Sequence, residues 1–138
     1  MILPRAVRDD IVAHARETAP AECCGLLVGT ATAIVEAVRA TNLSENPSRF
    51  LIDPKDHIRA RREARARGLD VIGFYHSHPH SDAQPSATDL AEASYENHLY
   101  LIVGLAGEAA GVKLYRFTGT SFELEIANSG PDFDHHRR

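Results

Sequence analysis

An α/β fold built on one mixed β-sheet flanked by helices follows from three features of the sequence. Short apolar runs of strand character alternate with segments of helical period along the 138 residues. Two alternating runs in "GVKLYRFTGTSFELEI" surround Thr118, Gly119 and Thr120 as a hairpin would, which argues against an all-parallel sheet. The balance of 43% hydrophobic and 25% charged residues is that of an ordinary globular chain, long enough to bury one core.

The elements follow in order. In "RAVRDDIVAHARETAP", Val7, Ile11 and Ala15 recur at helical spacing between Pro4 and Pro20. "CCGLLVG" and "TAIVEAVRATNL" predict two strands with Gly29 and Thr30 near the turn, and "RFLID" a brief third. "PKDHIRARREARARGLD" opens on Pro54 and stops at Gly68, the punctuation of a helix. "LDVIGFYHSH" is apolar enough for a central strand. "PSATDLAEASYENH" reads as a helix, "LYLIVGLAG" as a buried strand, and the hairpin closes the domain. No linker or repeat divides the chain, so residues 1–128 are expected to form one domain and 129–138 a flexible polar tail, in which His135 and His136 would be solvated.

Composition excludes several classes. A formal net charge of −4 gives no reason to expect nucleic acid or an anionic membrane as partner. No apolar run reaches the length of a membrane span. The start "MILPRAVRDD" lacks the basic flank and apolar core of a signal peptide, so a cytoplasmic location is expected. Cys23 and Cys24, the only cysteines, are adjacent and do not suit a mutual bridge; they read as strand residues facing opposite sides. The arginines of residues 54–68 read as a solvated helix face, with docking of an acidic protein as their functional alternative. "GLAGEAAG" lacks a phosphate-loop lysine, "NLS" at Asn42 means little in a cytoplasmic chain, and His80 reads as solvated.

The chemistry concentrates in "GFYHSHPHSDAQPSATDL". On a strand, His76 and His78 point the same way, about 6 to 7 Å apart along the backbone, and can grip a divalent metal. His-x-His alone is weak evidence. Asp89 is a candidate third ligand, beyond a loop long enough to fold back over the strand end. A His, His, Asp set leaves a fourth tetrahedral position for water, as in catalytic zinc sites. Ser77 falls on the opposite face. Ser86 and Asp89 also match a helix capping box, and the first turn of that helix could aim Asp89 at the histidines while Ser86 caps.

"HSHP", then six residues, then "SATD", resembles the His-x-His-Pro, Ser-x-x-Asp signature of the JAMM (MPN+) metalloproteases, and "PAECCGLLVG" supplies the glutamate that family carries on an early strand. The resemblance runs from Glu22 through the final hairpin, in the compact form of the small bacterial members. It implies a cytidine-deaminase-like MPN fold and a zinc-dependent metallopeptidase. It further implies one zinc ion (Zn2+) on His76, His78 and Asp89, Glu22 as general acid/base, and Ser86 as a hydroxyl that stabilises the developing oxyanion. Nothing in the sequence alone brings Glu22 near His76. Family members cut after the C-terminal diglycine of ubiquitin or ubiquitin-like proteins. No sizeable insertion flanks the metal motif here, so the implied partner is a ubiquitin-like sulfur-carrier protein, bound by its C-terminal tail and freed of a residue or short extension. A deubiquitinase-like isopeptidase on another substrate and a non-catalytic MPN scaffold are the alternatives; the scaffold members have typically lost ligands. A zinc deaminase would call for His-x-Glu and Pro-Cys-x-x-Cys, which this chain lacks.

Overall fold

A computed structural model describes residues 1–130, so residues 131–138, most of the expected tail with His135 and His136, lie outside the described residues. The helices are α1 (Arg5–Thr18), α2 (Pro54–Ala66) and α3 (Ala87–Glu92). The strands are β1 (Cys24–Gly29), β2 (Ile34–Ala40), β3 (Asp70–His78), β4 (Leu99–Gly104), β5 (Gly111–Phe117) and β6 (Phe122–Glu125). They form one six-stranded sheet in the order β2-β1-β3-β4-β5-β6. Only β3 and β4 run parallel; the other pairings are antiparallel, giving the mixed sheet expected.

Alternation along the central strands divides the core into two layers. Cys23, Leu27, Tyr75, Leu99, Leu101 and Val103 face α1 and meet its Val7, Ile11 and Ala15 stripe. Leu26, Val28, Phe74 and Tyr100 face the other way, against Ala60 and Ala64 of α2. Two alanines one turn apart let α2 lie close to the sheet. Full burial of a side chain such as Ile11 contributes about 1.5–3 kcal/mol, so α1 is held chiefly by this stripe. Gly25 makes room on the α1 face: a Cβ there would strike the ring of Tyr75, whose hydroxyl lies 2.7 Å from His14 Nδ1.

Two predicted elements differ. "RFLID" is not a strand; only Ile52 makes a bridge, to Asn42, and the rest belongs to a loop over the start of β1. Backbone pairing is limited to Leu43 N with Leu51 O and Asp53 N with Thr41 O; beyond these the side chain of Asn42 takes the loop's groups, its Oδ1 accepting from Ser44 N and Leu51 N and its Nδ2 donating to Arg49 O. The helix expected across 85–98 is only the six residues of α3, with Ala93 in extended conformation and Asn97 at φ 59° breaking the continuation. The other boundaries agree within a few residues. Pro54 stands at the first position of α2 with Asp53 Oδ1 accepting from Lys55 N, and Gly68 takes φ 75° just beyond its end. Among the described residues, no helix is long and apolar enough to cross a membrane.

Candidate metal centre

β3 ends on the α2 face of the sheet, where α2 no longer covers it. Alternation turns His76 and His78 to that face and Ser77 to the other, as expected. Ser77 is fully buried and its hydroxyl accepts from Cys23 N at 2.9 Å, while its own N–H donates to Cys23 O. This clamp fixes the start of β1 against the end of β3. The antiparallel register pairs Cys24 with His76. Two residues further, in opposite directions along the two chains, the same alignment sets Glu22 beside His78 on the same face. Register therefore does for Glu22 what no local pattern could.

Asp89 arrives from the other side. The loop from Pro79 to Pro85 returns over the strand end and is pinned at three points. His78 Nδ1 lies 2.9 Å from Asp82 O, Tyr115 Oη donates to Ala83 O at 3.0 Å, and Gly104 passes so close that a Cβ would lie 2.5 Å from Ala83 N. Ser86 then caps α3 with a complete capping box: its Oγ accepts from Asp89 N at 3.0 Å, and Asp89 Oδ2 accepts from Ser86 N at 2.8 Å. The first turn thus presents Asp89 to the histidines, its Oδ1 3.1 Å from His76 Nε2 and its Oδ2 3.0 Å from His78 Nε2. Capping and presentation use the same carboxylate. Because Ser86 Oγ only accepts in the cap, its proton remains available to a substrate at the exposed side.

The donor set suits a divalent cation. His78 Nδ1 faces a carbonyl, which requires N–H there and leaves the Nε2 lone pair directed at the centre. His76 and His78 Nε2 are 3.2 Å apart, and the ligand atoms of His76, His78 and Asp89 all lie within 4.8 Å of one another. Lone pairs and a carboxylate gathered this closely repel unless a cation, or in its absence protons on the imidazole Nε2 atoms, sit among them. Burial holds His76 below its ordinary pKa, keeping its imidazole neutral. Burial also works to lower His78, but its bonds to Asp89 and the Asp82 carbonyl prevail and hold it above. Burial opposes ionisation of Asp89, yet hydrogen bonds from both imidazoles and from the Ser86 amide hold it well below the usual carboxylate range.

Glu22 is 7% exposed, beneath the loop of residues 43–51: its N–H donates to Pro47 O and its carbonyl accepts from Asn42 Nδ2. Burial, with the Asp89 and Glu92 charges adding to it and His78 opposing, pushes its carboxyl up to about 7. It stands outside the three-residue cluster that could hold a metal ion and lies beside it. Its pKa near neutrality is what a general base needs to take and return a proton. The same loop stacks Phe50 on His76, with ring centroids 4.3 Å apart and planes at 20°. Next to it a cleft of about 590 Å³ runs between this loop, α2 and the segment after α3.

All five residues singled out in the sequence are thus brought to one strand end. Asn42, Phe50, Tyr115 and Gly104 also build the site and carry no local signal for it. Asn42 carried only a sequon, and nothing local marks an aromatic or a glycine as a neighbour of a histidine elsewhere in the chain. Cys23 and Cys24 are buried free thiols pushed up to about 11 and about 12, chiefly by burial, and take no part. His80 is exposed, as expected.

A strand end that could hold a cation, with a buried, near-neutral glutamate beside it on a mixed sheet between helices, has the parts of a metal-dependent hydrolase. Comparison with known proteins gives the family. Residues 4–118 match the family described as prokaryotic homologs of the JAB domain. A desampylase of Haloferax volcanii is 38% identical over 128 residues, covering 87% of this chain and 90% of that protein. A protein of Thermus thermophilus described as "Probable TtuB-protein conjugate cleaving protease" is 31% identical over 111 residues, covering 80% and 74%. The solution structure of a protein from Desulfitobacterium hafniense superposes with a TM-score of 0.86 at 30% identity, covering 100% of this chain and 99% of that one. The chain belongs to the prokaryotic JAB-domain family and is a metallopeptidase of the JAMM type.

Proposed function

We propose that this protein hydrolyses the amide bond following the C-terminal diglycine of a ubiquitin-like sulfur-carrier protein, releasing a residue or short peptide. One catalytic zinc ion would be held by His76 Nε2, His78 Nε2 and the Asp89 carboxylate. The observation that carries this reading is the convergence of those three groups beside a buried Glu22 that burial keeps near neutral pKa. The names of two relatives, a desampylase and a protease cleaving TtuB–protein conjugates, support a conjugated protein as substrate.

When bound, zinc supplies Lewis acidity, polarising the scissile carbonyl and lowering the pKa of water nearby to about 7. The chain's own groups do the rest. The Glu22 carboxylate takes a proton from the attacking water as its oxygen bonds to the carbonyl carbon. As the C–N bond breaks, Glu22 returns that proton to the departing amine. The Ser86 hydroxyl donates to the carbonyl oxygen as negative charge develops there. The Asp82 carbonyl holds the His78 ring in one tautomer and one orientation throughout. The cleft lined by Phe50, Leu51, His57, Phe74, Tyr95 and Tyr100 receives the extended tail upstream of the bond.

Intact-mass analysis tests this. A sulfur carrier extended by a few residues beyond its diglycine should lose that extension in the presence of the zinc-loaded protein and keep it after chelation. Retention of the extension by a fully zinc-loaded sample would remove the carrier as substrate.

A further inference from the structure

The route to the centre is uneven. The cleft of about 590 Å³ and a hollow of about 30 Å³ against His76 and Asp89 share Phe50, Glu92 and Tyr100 as walls. About 10–15 Å³ of such space holds one water molecule, so the hollow has room for only about two or three. The Phe50 ring stands between the two, stacked on the His76 imidazole. It is held there: its neighbours on both sides bond to one side chain, Arg49 O accepting from Asn42 Nδ2 at 3.0 Å and Leu51 N donating to Asn42 Oδ1 at 2.9 Å. Asn42 Nδ2 also donates to Glu22 O, and Glu22 N to Pro47 O, which tie the loop to the acid itself. With its backbone anchored on both flanks, the ring can move aside only by giving up its stacking on His76.

We infer that Phe50 determines specificity: it limits the residue supplying the scissile carbonyl to glycine. This rests on the activity proposed above. A tail passing from the cleft to His76 would have to cross the Phe50 ring into a space of only about 30 Å³, so a Cβ on its last residue would compete with the ring. The upstream residues lie in the wide, apolar part of the cleft, where side chains fit. Selection is therefore strict at one position and permissive before it.

The test compares two carriers, ending Gly-Gly or Gly-Ala before the same short extension, with wild type, Phe50→Leu and Phe50→Ala. Zinc content is measured on each. Wild type is expected to prefer Gly-Gly by roughly tenfold to a hundredfold in kcat/KM, the scale set by overpacking one methyl group. Phe50→Leu should narrow that preference and Phe50→Ala should nearly abolish it, with the absolute kcat/KM for Gly-Ala rising. If the variants lower both substrates in the same proportion, Phe50 merely supports His76 and the inference fails. Equal cleavage of both carriers by wild type overturns it too. Failure of wild type to cleave the Gly-Gly carrier while holding zinc refutes the proposed activity instead, and the specificity assigned to Phe50 falls with it.

Discussion

Glu22 is the residue on which the account turns, and its burial has a consequence for stability that can be measured without substrate. In the metal-free protein its folded pKa of about 7 lies above the unfolded value of 4.5. Below pH 4.5 both states carry the proton. As pH rises from there to about 7, the unfolded chain releases its proton first, so ionisation favours unfolding and stability drains away across that window. Glu22→Gln removes this loss. The variant and wild type should melt together near pH 4 in chelator, and the variant should be the more stable by up to about 3 kcal/mol at neutral pH. A melting difference independent of pH would show that Glu22 titrates normally. Ser86 permits a similar separation of roles. Ser86→Ala should cost about 1 kcal/mol through the lost cap and Ser86→Gly only a few tenths. Both should slow turnover by roughly 10²- to 10³-fold, because both lack the donating hydroxyl. Turnover that tracks stability across the pair would leave Ser86 a cap alone. At this scale the sequence showed His76, His78 and Asp89 through alternation and spacing. Glu22 was visible only through family resemblance, since a strand register joins it to the site and no local pattern encodes that.

Among the elements, the return loop between β3 and α3 does more than connect. It supplies the carbonyl that orients His78 and delivers the capped turn that presents Asp89. Its closeness to β4 depends on Gly104, where a Cβ would meet the backbone of Asp82 and Ala83. Gly104→Ala should push the loop outward, break the His78 Nδ1 bond to Asp82 O, and weaken zinc binding by roughly tenfold to a hundredfold in competition with a chelator. Unchanged affinity would mean that the loop does not set the orientation of His78. The two element-level misreadings have physical causes. "RFLID" carries a good strand pattern, but its pairing stops after two backbone bonds to residues 41–43, where the Asn42 side chain takes Leu51 N and Arg49 O. The helix after Ser86 has a strong start signal and no apolar stripe; none of its residues is buried, so nothing extends it past Glu92.

For the molecule as a whole, most of the fold was legible because periodicity and punctuation agree in nearly every segment, with the closing hairpin announcing the mixed sheet. The arginine helix was less legible. Its charges are largely met within the protein: Arg61 and Arg65 lie 3.2 and 3.4 Å from Asp70, Arg59 lies 3.7 Å from Asp56, and Arg67 pairs with Glu36. Arg61 is thus part of the join between α2 and β3, and reversing its charge would disturb that join as well as any partner. Arg62 is exposed and has no ion pair among the described residues, so it gives the cleaner test of docking. If an acidic carrier body rests on α2, Arg62→Glu should raise KM severalfold at low salt, with the effect shrinking as salt screens it. An unchanged KM would free α2 of that role.

Zinc content and turnover measured together for wild type and Glu22→Gln test the metal centre and its acid most directly. One zinc per chain is expected in both proteins, with cleavage of the extended carrier by wild type and turnover lower by about 10²-fold or more in the variant. Zinc-loaded Glu22→Gln that cleaves as fast as wild type would contradict the assignment of Glu22, and a wild type that holds no zinc would contradict the metal centre itself.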